Sequence, residues 1–162
     1  SAFASVSGLP AGYAVVYDNT LHQIRIEGTP PAAGYDAFAD TITDVTKRGE
    51  LDDADSDGIS NLIEYVLAGN PNLSDRQILP AFATTATNAV FTFKRSDDSE
   101  NDTTQTFQWS TDLQNWNDVA LGAATAGIVS VVENESAADD ITVTITKGTN
   151  TKVFGRVKID KP

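Results

Sequence analysis

The chain has no cysteine and no methionine, one histidine, and 11 basic residues against 23 acidic ones across 162 positions. Without cysteine there is neither a disulfide framework nor a thiolate metal site. The single histidine, His22, accompanies no nucleophile motif, and serine–histidine–acid chemistry needs a base beside its nucleophile. His22 therefore reads as a surface or strand-edge residue. The formal charge of -12 has the wrong sign for nucleic acid, where phosphate neutralisation dominates affinity. It equally disfavours an anionic membrane surface. No apolar run approaches the roughly 18 residues of a membrane-spanning helix. No leader opens the chain, and Ser1 reads as a processed or excised start.

What is present is a globular composition, 40% hydrophobic, with hydrophobic patterning that changes along the chain. Tyr13, Val15 and Tyr17 alternate, Asp18-Asn19-Thr20 is turn chemistry, and Leu21 to Ile26 returns with Ile24 and Ile26 on one face. Residues 1–34 thus read as an arm and a hairpin, closed by Gly28-Thr29-Pro30-Pro31. Phe38, Ile42 and Val45 then fall at helical spacing, which predicts a helix over 35–46. A second helix is predicted over Ile59 to Ala68, stopped by Gly69-Asn70-Pro71. Residues 35–75 form a helix–loop–helix segment on this reading. From Leu79 the period is two: Phe91 with Phe93, Phe107 with Trp109, Val129 with Val131, Ile141 with Val143 and Ile145, and Val153, Gly155, Val157 and Ile159. Turn clusters separate these runs, so residues 76–162 predict six or seven short strands in an antiparallel sandwich.

Between the helices lies Asp53-Ala54-Asp55-Ser56-Asp57-Gly58-Ile59-Ser60-Asn61-Leu62-Ile63-Glu64, with oxygen ligands at loop positions 1, 3, 5, 9 and 12. Calcium takes about six to eight hard oxygen ligands in an adaptable shell, and alternate residues of a tight loop can turn carboxylates inward. On that spacing Asp53, Asp55 and Asp57 are candidate ligands, with the carbonyl of Ile59, Asn61 directly or through water, and Glu64 through both oxygens. Gly58 permits the bend. Four carboxylates in twelve residues repel one another strongly unless a cation joins them, whereas a solvated acidic turn capping a helix would leave that repulsion standing. Ser60 occupies the position where paired loops carry an apolar residue, and the sequence contains no second loop.

This solitary loop is similar to those of dockerins and thrombospondin type 3 repeats. Asp53 to Pro71, followed by Phe107-Gln-Trp-Ser-Thr-Asp-Leu-Gln-Asn-Trp116, resembles the C-terminal calcium-loop plus β-domain module of large secreted bacterial surface proteins, over about residues 35–159. Gly8-Leu9-Pro10-Ala11-Gly12 with Gly28-Thr29-Pro30 and Ala33-Gly34 looks like the last hairpin of an Ig-like repeat of such proteins. The resemblance implies export to the cell surface or beyond, bound calcium and an accessory role without a reaction.

Two carboxylate pairs, Asp97/Asp98 and Asp139/Asp140, fall in polar clusters and read as solvated loops, not as a glycoside hydrolase pair. Trp116 follows a turn, and beside Asn115 and Asn117 it could serve as a sugar-stacking platform. The expected molecule is mainly β: an antiparallel Ig-like β-sandwich with an inserted helix–calcium loop–helix, acting as a structural or adhesive extracellular module and not as an enzyme. Its expected partners are calcium and other copies of itself or cell-surface proteins. The alternative is a carbohydrate-binding accessory module that takes polysaccharide through Trp116.

Overall fold

The alternation near the start closes into an in-register antiparallel hairpin of β1 (Tyr13–Asp18) and β2 (Gln23–Gly28). Val15 faces Ile26 and Tyr17 faces Ile24, so the apolar residues share one side. The structure, a computed structural model, describes residues 8, 9, 12–18, 20, 21, 23–28, 33–122, 124, 128–134 and 137–162. His22, and Pro10, Ala11, Thr29 and Pro30 of the Ig-like phrase, lie outside those residues. The chain divides into two compact units, Ser1–Ala33 and Gly34–Pro162. The helix–loop–helix and the β-rich region expected to follow it therefore belong to one unit.

That unit begins with α1 (Gly34–Asp40), shorter than its periodicity predicts. Thr41 and Ile42 donate i→i−3 bonds to Phe38 and Ala39, which tighten and end the helix. The Asp44 carboxylate then accepts from the Thr46 N–H and starts a separate 3₁₀ turn, Val45–Lys47. Val45, expected on the apolar face, is exposed, whereas Ile42 is buried. Asp102 holds the front of α1, accepting from the Tyr35 N–H at 2.8 Å and from the Tyr65 hydroxyl at 2.9 Å. Helix α2 (Asn61–Val66) is likewise shorter than expected and ends where Ala68 turns to φ 56.

Seven strands follow: β3 (Ala81–Thr84), β4 (Asn88–Arg95), β5 (Thr104–Ser110), β6 (Asn117–Ala120), β7 (Val129–Asn134), β8 (Ala137–Thr146) and β9 (Phe154–Asp160). They pair antiparallel in two sheets of order β3-β4-β8-β7 and β6-β5-β9. The sheets share a core. Phe107 of β5 lies 4.8 Å from Phe91 of β4, ring centre to ring centre, with Phe93 stacked beyond it. Val129, Ile141, Val143 and Ile145 complete the layer. Tyr35, Ile42, Tyr65, Val66 and Leu67 extend the same core into the helical segment. Each fully buried side chain of this kind stabilises by about 1.5–3 kcal/mol relative to exposure. The fold is thus mainly β, with 9 strands in antiparallel sheets among the described residues.

One carboxylate pair departs from expectation. Asp139 and Asp140 lie within β8, not in a loop. Asp139 continues the inward alternation of Ile141, Val143 and Ile145, and it is almost fully buried. It stands opposite Arg95 in the β4–β8 register and accepts from its guanidinium at 2.9 Å. The turn-like composition around it conceals a strand whose end carries a buried ion pair. Asp140 faces outward to Lys94.

Candidate metal centre

The acidic loop bends through two residues with left-handed backbone, Ser56 at φ 66 and Gly58 at φ 91. The only atom near a Cβ at Gly58 would be the flexible tip of Arg76, so it is the left-handed backbone that favours glycine at this turn. The bend turns three carboxylates toward one another. Asp57 N–H donates to Asp53 Oδ1 at 3.1 Å and to Asp55 Oδ1 at 3.0 Å. Gly58 N–H donates to Asp53 Oδ2, and Ile59 N–H to Asp57 Oδ1. One carboxylate oxygen from each of Asp53, Asp55 and Asp57 lies within 4.8 Å of the other two. Burial works against the Asp53 charge, but the N–H groups of Gly58, Ser56 and Asp57 outweigh it and lower the pKa. Asp55 is raised, by burial and by its acidic neighbours.

Glu64 enters from the first turn of α2. It has no solvent exposure, and neither carboxylate oxygen has a hydrogen-bond partner. Burial, followed by the charges of Asp55, Asp75, Asp57 and Asp53, pushes its pKa up to about 8. Asp55 Oδ2 is also buried and unpartnered. Unpaired charge at such depth is costly, and it persists only when a proton or a cation compensates it. The two cationic side chains at the loop do not provide compensation. Lys47 Nζ donates to the carbonyls of Asp53 and Ala54, and Arg76 to the carbonyl of Asp57. Among the described residues no lysine or arginine forms an ion pair with Asp53, Asp55, Asp57 or Glu64.

The remaining two sequence-derived ligands have structural tasks as well. Asn61 is fully buried, and its amide nitrogen donates to the carbonyls of Lys47 and Gly49, both at 2.8 Å. This ties the start of α2 to the segment before the loop and leaves Asn61 Oδ1 without a partner. The Ile59 side chain is buried, which anchors the backbone at its carbonyl.

Asp75 joins the cluster from outside the loop. Its N–H donates to Asp57 Oδ2 at 3.0 Å, one of its oxygens accepts from the Asn70 N–H at 2.8 Å, and the other is buried and unpartnered. The chain reaches this position by packing Gly69 against α2, where a Cβ would lie 3.2 Å from the Glu64 Cα and 2.7 Å from Ile78 Cδ1. Only the Gly69-Asn70-Pro71 turn hints at this approach in the sequence.

The Trp116 ring, a candidate sugar platform, carries the guanidinium of Arg156 at 3.9 Å from its centroid. Arg156 is itself held by Gln108 Oε1 at 2.8 Å, so that face of the indole is closed to a sugar ring. Asp97 and Asp98 lie in the 3₁₀ turn Asp97–Glu100, remote in sequence from the acidic loop. Comparison with protein-family models, curated proteins and solved structures finds no match for this chain.

Proposed function

We propose that Gly34–Pro162 is a calcium-stabilised structural module of a secreted bacterial surface protein, with no catalytic role. Asp53, Asp55, Asp57, the Ile59 carbonyl, Asn61 and Glu64 would hold one calcium ion. The observation that carries this reading is Glu64, a fully buried carboxylate with both oxygens unpartnered beside other acids. Oxygen-only donors in an irregular loop suit calcium better than magnesium, which prefers a rigid octahedron with retained waters. Bound calcium supplies positive charge that offsets the carboxylate repulsion and joins the loop to α2. Because α2 and the Leu67 that caps it contribute Tyr65, Val66 and Leu67 to the shared core, order in the loop is coupled to the sheets.

The adhesive part of the reading is supported by exposed apolar surface. Ile24 and Ile26 on β2 and Phe82 on the edge strand β3 all face solvent. Such surface on strands at the edge of a sheet can serve for contact with further copies or other surface proteins. The deciding experiment is thermal unfolding in calcium, in magnesium and in EDTA, for wild type and Asp57→Ala. Calcium is expected to raise the wild-type Tm, with stabilisation of about 2.7 kcal/mol at a hundredfold excess over Kd. Magnesium should do far less, and Asp57→Ala should lose the calcium increment while matching wild type closely in EDTA. A wild-type Tm indifferent to calcium would sink the proposal.

A further inference from the structure

Resting on the calcium reading, we infer that Asp75 is a direct ligand from outside the loop, so that the ion clamps the connection between α2 and β3 onto the loop. Four observations converge on this residue. Asp75 is joined to the loop already, through its N–H to Asp57 Oδ2. Its carboxylate is divided in function: one oxygen is fixed by the Asn70 N–H, and the other is buried with no partner. The same acidic centre holds Glu64, fully buried with two further unpartnered oxygens, and the unpartnered Asp55 Oδ2. Finally, Gly69 packs tightly against α2, where a Cβ would lie 3.2 Å from the Glu64 Cα, so a small residue favours the approach of this connection to α2.

The arrangement gives Asp75 one oxygen to donate. A fourth aspartate also changes what the site does. Ligands drawn only from Asp53 to Glu64 would order the loop and the start of α2. A ligand at Asp75 extends that order past the end of α2, across the 3₁₀ turn Arg76–Ile78 that leads into β3. Arg76, exposed and donating to the Asp57 carbonyl, sits beside the clamp.

The test uses the full chain and two readouts. Europium luminescence lifetimes in light and heavy water count the waters on a lanthanide bound in place of calcium. Asp75→Ala is expected to add about one inner-sphere water and to weaken calcium binding about tenfold, as removal of a charged ligand does. In wild type, trypsin cleavage after Arg76 should be suppressed by calcium relative to EDTA, by up to about a hundredfold at a hundredfold excess over Kd. Asp75→Ala saturated with calcium should be cut about as fast as wild type in EDTA. A hydration count unchanged in Asp75→Ala, with wild type binding the ion, would overturn the ligand assignment and leave the loop site standing. Equal wild-type cleavage after Arg76 with and without calcium would overturn the clamp even if the variant failed to fold. Absence of any ion from wild type would overturn the calcium reading itself.

Discussion

At the scale of single residues, Glu64 sets the pH behaviour of the metal-free protein. Its pKa rises from 4.5 to about 8 on folding because burial and four acidic neighbours oppose its charge. Between those values the folded state holds a proton that the unfolded chain has released. The stabilisation is complete below the unfolded pKa and is lost as pH rises through the folded one. Each tenfold difference in proton affinity between the folded and unfolded chain is worth about 1.4 kcal/mol, so the loss is on the order of a few kcal/mol. Urea unfolding in EDTA should therefore give a more stable wild type near pH 5 than near pH 9. Glu64→Gln should flatten that slope, stabilise the metal-free protein at alkaline pH and abolish the calcium response. Parallel pH profiles for the two proteins would assign the titration elsewhere. Asp53, Asp55, Asp57 and Glu64 were legible in the sequence because they follow one another at loop spacing and one local bend aligns them. Asp75 was not legible, because it is brought back by the end of a short helix and by the packing of Gly69. Asn61 was legible as a polar residue of the loop, but its anchoring of Lys47 and Gly49 depends on a chain path that spacing does not specify.

At the scale of elements, periodicity located the strands well and their polar ends poorly. Phe91 and Phe93, Ile141 to Ile145, and Phe107 declare their inward faces by alternation, and each is buried. The same alternation continues one step further at both Arg95 and Asp139, and at Asp139 charge disguises a core position as a loop. Their mutual register resolves the pattern, since each is the other's cross-strand partner. Arg95 is further held by the Leu121 carbonyl at 2.7 Å and by Glu100. Removing one member of a buried pair leaves the other uncompensated. Asp139→Ala is expected to cost about 3 kcal/mol in urea unfolding, toward the low end of such losses because Glu100 persists beside Arg95. Asp140→Ala, one residue along the same strand, removes only exposed contacts to Lys94 and Asn134 and should leave stability nearly unchanged. Equal effects of the two substitutions would refute the assignment of Asp139 to the core. Helix α1 shows the opposite failure of pattern: Val45 has helical spacing, yet the helix closes at Asp40 and Asp44 captures the Thr46 N–H to start a separate turn.

At the scale of the molecule, the two compact units have unequal means of support. Among the described residues, every member of the buried core, from Tyr35 to Ile145, lies in Gly34–Pro162. The metal-ligand candidates, the buried Arg95–Asp139 pair and both multi-stranded sheets lie there too. Ser1–Ala33 contributes a two-stranded hairpin whose second strand is exposed along its whole length. A lone hairpin of this kind is marginal in water, and with no cysteine in the chain no disulfide reinforces it. Its apolar side, with Val15, Tyr17, Ile24 and Ile26, is the kind of face that gains stability when another surface covers it. A chain beginning at Gly34 is therefore expected to fold cooperatively, with the Tm and calcium increment of the whole protein. A peptide of residues 1–33 should show no sheet signature by circular dichroism at low concentration. If the shortened chain lost its cooperative transition, the hairpin would be an integral part of the core. If it kept the transition but lost the calcium increment, the hairpin would instead be needed to complete the metal centre.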